Sequence, residues 1–278
     1  GQRMRPAAFE AIVHPTDFSE ASDAAFNHAL RIAVASKSAF YTLHIEDPAS
    51  DPRRASFPHV RERLAAWSLL HAGEPENAVS EKLGVRITKA TIGAHDIRHG
   101  ILDFVERHEC DLLVLASHDH GQQSWFGDTV SQQVARSAHV STLFVREHHR
   151  GFVDEKTGAC SLQNILLPVD AELHYASAWR KIVSFAKLFS PVPRIHLFHV
   201  GLRAPTLHNE NGREMDLPLV RRNGPVVQTI LEYADEIKAD LIAMPTSGHH
   251  GVLDALRGST TERVLREAPC PVLAVPVE

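Results

Sequence analysis

The sequence predicts an α/β protein: two tandem, open, mostly parallel five-stranded sheets with helices on both faces. Three observations predict it. Short β-branched runs alternate with amphipathic helical stretches. The alternation is written twice, with matching landmarks in the same order. The chain is 278 residues long and 44% hydrophobic, enough for two cores of ordinary size.

In the first copy the elements run in order: strand Ala11–His14, helix Ala21–Ala35, strand Ala39–Ile45, helix His59–Leu83, strand Arg86–Thr91, helix Asp96–Glu109, strand Leu112–Ala116, helix Val130–Ala138 and strand Thr142–Val145. Strands that follow helices in this way lie parallel in one sheet.

The second copy is recognised by three matches. "AIVHPTDF" (Ala11–Phe18) corresponds to "NILLPVDA" (Asn164–Ala171), with Asp17 and Asp170 153 positions apart. "DLLVLAS" (Asp111–Ser117) corresponds to "DLIAMPT" (Asp240–Thr246), 129 apart. "TVSQQVARSAHVSTLFV" (Thr129–Val145) corresponds to "STTERVLREAPCPVLAV" (Ser259–Val275), 130 apart. The falling offset means that the second copy lacks 24 residues, the counterpart of the helical pattern His59–Leu83. Its polar stretch "RAPTLHNENGREMD" (Arg203–Asp216) reads instead as a loop. The charged segment "REHHRGFVDEKTGACSLQ" (Arg146–Gln163) suits a linker, which gives domains at 1–150 and 151–278.

Composition excludes several classes. A formal charge of −5 gives no electrostatic footprint for nucleic acid or an anionic membrane. No apolar stretch approaches the ~18 residues a spanning helix needs. Cys110, Cys160 and Cys270 are sparse and form no C-x-x-C pair, so a reducing, cytoplasmic location is expected. "GQRMRPAAFE" has no apolar leader core, and Gly1–Arg3 ahead of Met4 reads as an expression remnant.

Ligands of doubly wound sheets bind at the C-terminal ends of the strands. In the second copy that position carries "SGHHGVLDALRGST" (Ser247–Thr260), with glycines at 248, 251 and 258. Ser259 and Glu262 form a capping box, the signature of a helix start whose free amides favour an anion. Glycine lets backbone approach a ligand closely. Loop and helix start together make a phosphate cradle, with Asp170 placed to bond a ribose or base. The first copy has Asp128 where the second has Gly258, and Asp119 nearby; carboxylates there would repel phosphate. A glycine-bearing loop before a capped helix is also common in α/β folds that bind nothing.

With "IVHPTDFSEAS", "LLPVDA" and "GSTTERVLREAPCPVLAV" in hand, the chain resembles a tandem member of the universal stress protein family along essentially its whole length. The resemblance implies the adenine-nucleotide alpha-hydrolase-like fold, a role in stress response and, for members with the loop G-x-x-G-x₉-G-[ST], ATP binding. Here Gly248 and Gly258–Ser259 match that loop, and Pro245 stands at its first glycine. By carry-over, Asp170 meets the adenine or ribose, Val200 packs on the base, and Gly248, His249, Gly258, Ser259 and Thr260 line the phosphates of ATP, with or without Mg²⁺. In the first copy only Asp17 carries over. The resemblance also implies that Thr142–Val145 and Val272–Val275 pair antiparallel, making the chain an intramolecular pseudo-dimer and covering two sheet edges. Whether two chains form a further homodimer stays open.

The competing reading is a non-nucleotide stress scaffold or a divalent-metal protein. His14, His44, His118 and His120 fall at strand ends of the first copy among Asp17, Glu46, Asp47, Asp119 and Asp128, a donor set that suits zinc. Their spacing matches no zinc motif, and histidine is frequent at such positions in the family. His148–His149 and His249–His250 read as solvated loop residues. Catalytic motifs are lacking: there is no G-x-S-x-G, no G-x-x-x-x-G-K-[ST] and no H-E-x-x-H. With no Lys in either glycine loop, slow ATP hydrolysis assisted by Arg257 is the most the chain would catalyse.

Overall fold

The computed structural model describes residues 8–20, 22–46, 56–117, 134, 137–146, 149–169, 175–209, 211–247, 263–265 and 267–277. In chain order the strands are β1 Ala11–Pro15, β2 Ala39–Glu46, β3 Arg86–Gly93, β4 Leu112–Ser117, β5 Ser141–Arg146, β6 Asn164–Pro168, β7 Arg194–Val200, β8 Leu219–Arg222, β9 Leu241–Ser247 and β10 Val272–Val277. The helices are α1 Ser22–Ser36, α2 Val60–Ala66, α3 Ala78–Leu83, α4 Ile97–Arg107, α5 Tyr175–Lys187 and α6 Val226–Glu236.

The strands form one ten-stranded sheet in the order β3-β2-β1-β4-β5-β10-β9-β6-β7-β8. Each half repeats the same order, and every pair within a half is parallel. The halves meet where β5 and β10 pair antiparallel, with Val272 opposite Phe144 and Ala274 opposite Thr142. This joins the two expected sheets into a pseudo-dimer. It also buries both innermost strands, which explains why each reads as an unbroken apolar run.

Matched carboxylates start each half. Asp111, just before β4, accepts the Glu10 and Ala11 amides at 2.9 and 3.0 Å. Asp240, just before β9, accepts those of Gln163 and Asn164 at 3.0 and 2.9 Å. Each ties the entry of the fourth strand of its half to the entry of the first. The aspartates that open "DLLVLAS" and "DLIAMPT" therefore set the register of the two central strands.

Two regions differ from the sequence reading. The expected helix His59–Leu83 is two short helices, α2 and α3, separated by turns. Gly73 there has φ +86°, and Pro75 lacks the N–H a continuous helix needs. The segment 149–163, read as a linker, is packed. Phe152 is fully buried, with its ring 4.6 Å from His28 of α1 and 6.1 Å from Phe185 of α5. Trp67 Nε1–H donates to the Glu155 carbonyl (2.8 Å), Arg31 Nε–H to that of Gly158 (2.9 Å), and Arg150 pairs with Asp240. The segment is a clasp that holds both halves. Between β7 and β8 the described residues form no helix, only a turn around Asn209 and a bridge between His208 and Glu214.

Candidate functional site

Strand order reverses between β1 and β4 in the first half and between β6 and β9 in the second. These two crevices, at the C-terminal ends of the strands, are where a doubly wound sheet holds a ligand.

In the first half the crevice side chains are engaged with one another. Asp17 Oδ1 accepts the Ser19 amide and the Ser22 hydroxyl, both at 2.9 Å, so it serves the first turn of α1. Phe18 takes a left-handed backbone (φ +63°) and sets its ring 4.1 Å from that of His44, with Phe57 edge-on at 5.1 Å. His44 is buried, and its Nδ1–H donates to the Thr16 carbonyl at 3.0 Å. His14 lies deeper, fully buried under Phe26, and its Nδ1–H donates to the Val114 carbonyl at 3.0 Å. Burial pushes the His14 imidazole down to about 4, against smaller opposing effects of the Val114 bond and the Asp17 charge. It is therefore neutral at pH 7. Its Nε2 has no hydrogen-bond partner among the described residues.

The second half repeats this frame with different contents. The Val169 amide donates to the Phe198 carbonyl at 2.8 Å, as Thr16 does to Leu43. His199 Nδ1–H donates to the Val169 carbonyl at 2.7 Å, as His44 does to Thr16. Each histidine thus pins the residue just before the crevice aspartate of its half, Asp17 or Asp170. Val200 follows at the end of β7, half-buried. The Gly201 amide donates to the Arg222 carbonyl (3.0 Å), and Arg221 Nη1–H donates to the Gly201 carbonyl (2.8 Å). A side chain at 201 would meet His199 Nε2 at 2.7 Å, so this corner requires glycine. β6 runs to Pro168 and β9 to Ser247, side by side in the sheet. The chain leading into Asp170 and the chain leading into the glycine loop therefore leave the sheet at adjacent points.

Of the residues singled out from sequence, Asp17, Val200, His14 and His44 lie among those described. Asp170, Gly248, His249, Gly258, Ser259 and Thr260, with His118 and His120, lie outside the described residues. Among the described residues no three His, Cys, Asp or Glu side chains gather in metal-binding geometry. His199 and Arg221 were missed. The first was legible, because "LHIE" and "FHVG" end the second strand of both copies with a histidine in the same place.

The three cysteines offer no nucleophile at neutral pH. Burial raises Cys110 and Cys270 to about 12 and Cys160 to about 11. All three are free thiols. Among the described residues no helix is long and apolar enough to cross a membrane.

Comparison with known proteins adds the following. The model of the universal stress protein family matches residues 8–146 and 201–276. A universal stress protein of Synechocystis is 26% identical over 153 residues, 47% of this chain and 96% of that protein. One from Methanocaldococcus jannaschii is 48% identical over 52 residues, 19% of this chain but only 31% of that protein. Among solved structures, a universal stress protein from Archaeoglobus fulgidus superposes with a TM-score of 0.60 at 18% identity, covering 97% of this chain and 96% of that one. A functionally unknown protein from Pseudomonas aeruginosa gives 0.61 at 15% identity, over 97% and 93%. Likeness at these identities is likeness of fold.

Proposed function

The chain belongs to the universal stress protein family, and from that premise we propose that it serves a stress response in the cytoplasm by binding one adenine nucleotide in its second half. The domains would be 1–150 and 151–278, the first acting as structural partner to the second. The observation that carries this reading is the convergence at the β6/β9 crevice. Asp170 follows directly on β6, Gly248 directly on β9, and Val200 ends β7, the other neighbour of β6. Gly248, His249, Gly258, Ser259 and Thr260 would hold the phosphates through backbone amides and hydroxyls. Asp170 would bond the ribose or base, and Val200 would pack on the base. The His199 and Arg221 bonds support the reading, since they stiffen the two corners against which a base would rest.

The first half fits the role of partner. One oxygen of Asp17 is spent on the start of α1, and Phe18, His44 and Phe57 stack where a base would lie. Neither half presents a base or a cationic cluster that would drive phosphoryl transfer, so the role is binding rather than turnover.

The test is calorimetric titration with ATP–Mg²⁺, beside elemental analysis of the purified protein. One site per chain, lost in Gly258→Asp, is the expected result. No ATP binding together with about one zinc per chain would overturn it and move the site to His14, His44, His118 and His120. Phosphate release that disappears in the same variant would instead make the protein a slow hydrolase.

A further inference from the structure

We propose that the free edge of β3, beside α2 and α3, docks an extended peptide with acidic and apolar side chains, which adds to the sheet as a further strand. β3 ends the sheet on the side of the first half. Its Arg86 amide donates to the Ser38 carbonyl at 3.3 Å, and the Ala94 amide just beyond it donates to that of Glu46 at 3.4 Å. Between those two bonds a parallel ladder alternates. The amides of Thr88, Ala90 and Ile92 therefore turn toward β2, and those of Ile87, Lys89, Thr91 and Gly93 turn outward. An incoming strand would find this outward row on a strand of eight residues.

Beside that row lies a cavity of about 900 Å³ between the start of β3 and the α2–α3 segment. Val60, Leu70 and Val79 are buried along it, giving an apolar wall. Two of its three acids are matched: Glu76 pairs with Arg61 at 3.9 Å, and Glu74 pairs with Lys82. Arg86 and Lys89 line it with no ion pair or side-chain hydrogen bond among the described residues, against Glu62 as the remaining acid. His59 and His71 also border it.

The opposite end of the sheet is built differently. β8 has four residues; Arg221 is held by the Gly201 carbonyl and Arg222 by Glu236. Charged side chains on an edge also discourage pairing between copies of one protein. A second β3 would bring the same two cations, whereas an acidic strand would answer them. Edge protection accounts for the lysine but not for the apolar cavity beside it.

The probe is a fluorescein-labelled Glu-Thr-Leu-Thr-Glu-Thr-Leu-Thr peptide, compared by anisotropy with its counterpart carrying Lys for Glu. The full chain should bind the Glu peptide at least about tenfold more tightly. Thr91→Pro removes one outward N–H and no ladder bond to β2, a change an edge strand tolerates. It should weaken the Glu peptide about tenfold and leave the unfolding midpoint unchanged. Lys89→Glu keeps every backbone donor and should reverse the preference between peptides, so the test stands even if the proline variant fails to fold. No saturable binding, equal binding of both peptides, or binding unchanged in both variants would overturn the proposal. So would self-association of the wild type that Thr91→Pro abolishes, which would assign the edge to a second copy.

Discussion

Acid should loosen this protein through His28 before it reaches most of its carboxylates. His28 is fully buried in α1; its Nδ1–H donates to the Ala24 carbonyl at 2.7 Å and its Nε2 accepts the Phe152 amide of the clasp at 3.0 Å. Both ring nitrogens are committed to one neutral tautomer, and a second proton would point at an N–H. Burial lowers its titration to about 4, against the smaller opposing effect of the Ala24 bond. The unfolded chain, titrating near ~6.5, binds more protons between the two values, so stability falls as pH drops through that window and is full above it. A gap of this size is worth about 3 kcal/mol once both values are passed, and about 2 kcal/mol of that is lost by pH ~5. His14, also lowered to about 4, should lose a similar amount. The assay is urea denaturation at pH ~7.5 and ~5 of wild type and His28→Gln, whose amide oxygen can still accept the Phe152 amide. The variant should lose about 2 kcal/mol less than wild type between those two pH values. Equal losses would refute the claim that His28 is held neutral by burial.

Other perturbations rank the contacts that hold the halves. Asp240→Asn should cost about 2–3 kcal/mol and Asp111→Asn about 1–2, because Asp240 is almost fully buried and also pairs with Arg150; the opposite ranking in urea midpoints would contradict the clamp. Phe152→Ala should cost about 3–5 kcal/mol, and limited proteolysis should then cut within 149–163. A side chain at Gly158 would stand 2.6 Å from the Trp67 ring on a backbone with φ +70°, whereas Gly73 has φ +86° in open space. Gly158→Ala should therefore cost about 2–3 kcal/mol and Gly73→Ala about 1, and equal melting temperatures would remove the packing argument.

The strand order was legible because the duplication supplies its own control. A proline–aspartate corner after the first strand and an aspartate before the fourth recur in both copies, and each does the same physical work in both. The β5–β10 pairing was legible from apolar runs that no lone lobe could leave exposed. Composition misled in two places. The periodicity of His59–Leu83 outweighed Gly73 and Pro75, which break it. In the clasp, charge and glycine concealed Phe152 and Leu162, single apolar residues whose burial depends on helices distant in sequence. A packed segment needs only a few buried anchors, and averages over composition dilute them. At the site, glycines and the capping box were visible as residue types. The engagement of Asp17 by Ser19 and Ser22 depends on the local backbone, of which the letters "DFSEAS" carry only the capping residue types.

The asymmetry between the halves follows from where each spends its polar groups. His44 and His199 make the same bond, so the frame around the two crevices is common to both. What differs stands one and two residues past the pinned carbonyl. In the first half Asp17 closes onto its own helix and Phe18 bends back over His44, at the cost of a left-handed φ. Such a backbone persists only where surrounding contacts outweigh it, and the ring stack with His44 and Phe57 is that compensation. A side chain that already fills the crevice cannot also yield to a ligand without giving up the stack. The core on the α1 side, meanwhile, runs without a break from Phe9 to Phe185, 6.0 Å apart across the halves. Filling the first crevice therefore adds rigidity to a unit the second half shares. A pseudo-dimer can stiffen one crevice permanently and leave the other to its glycines, which two identical subunits encoded by one shorter chain could not do.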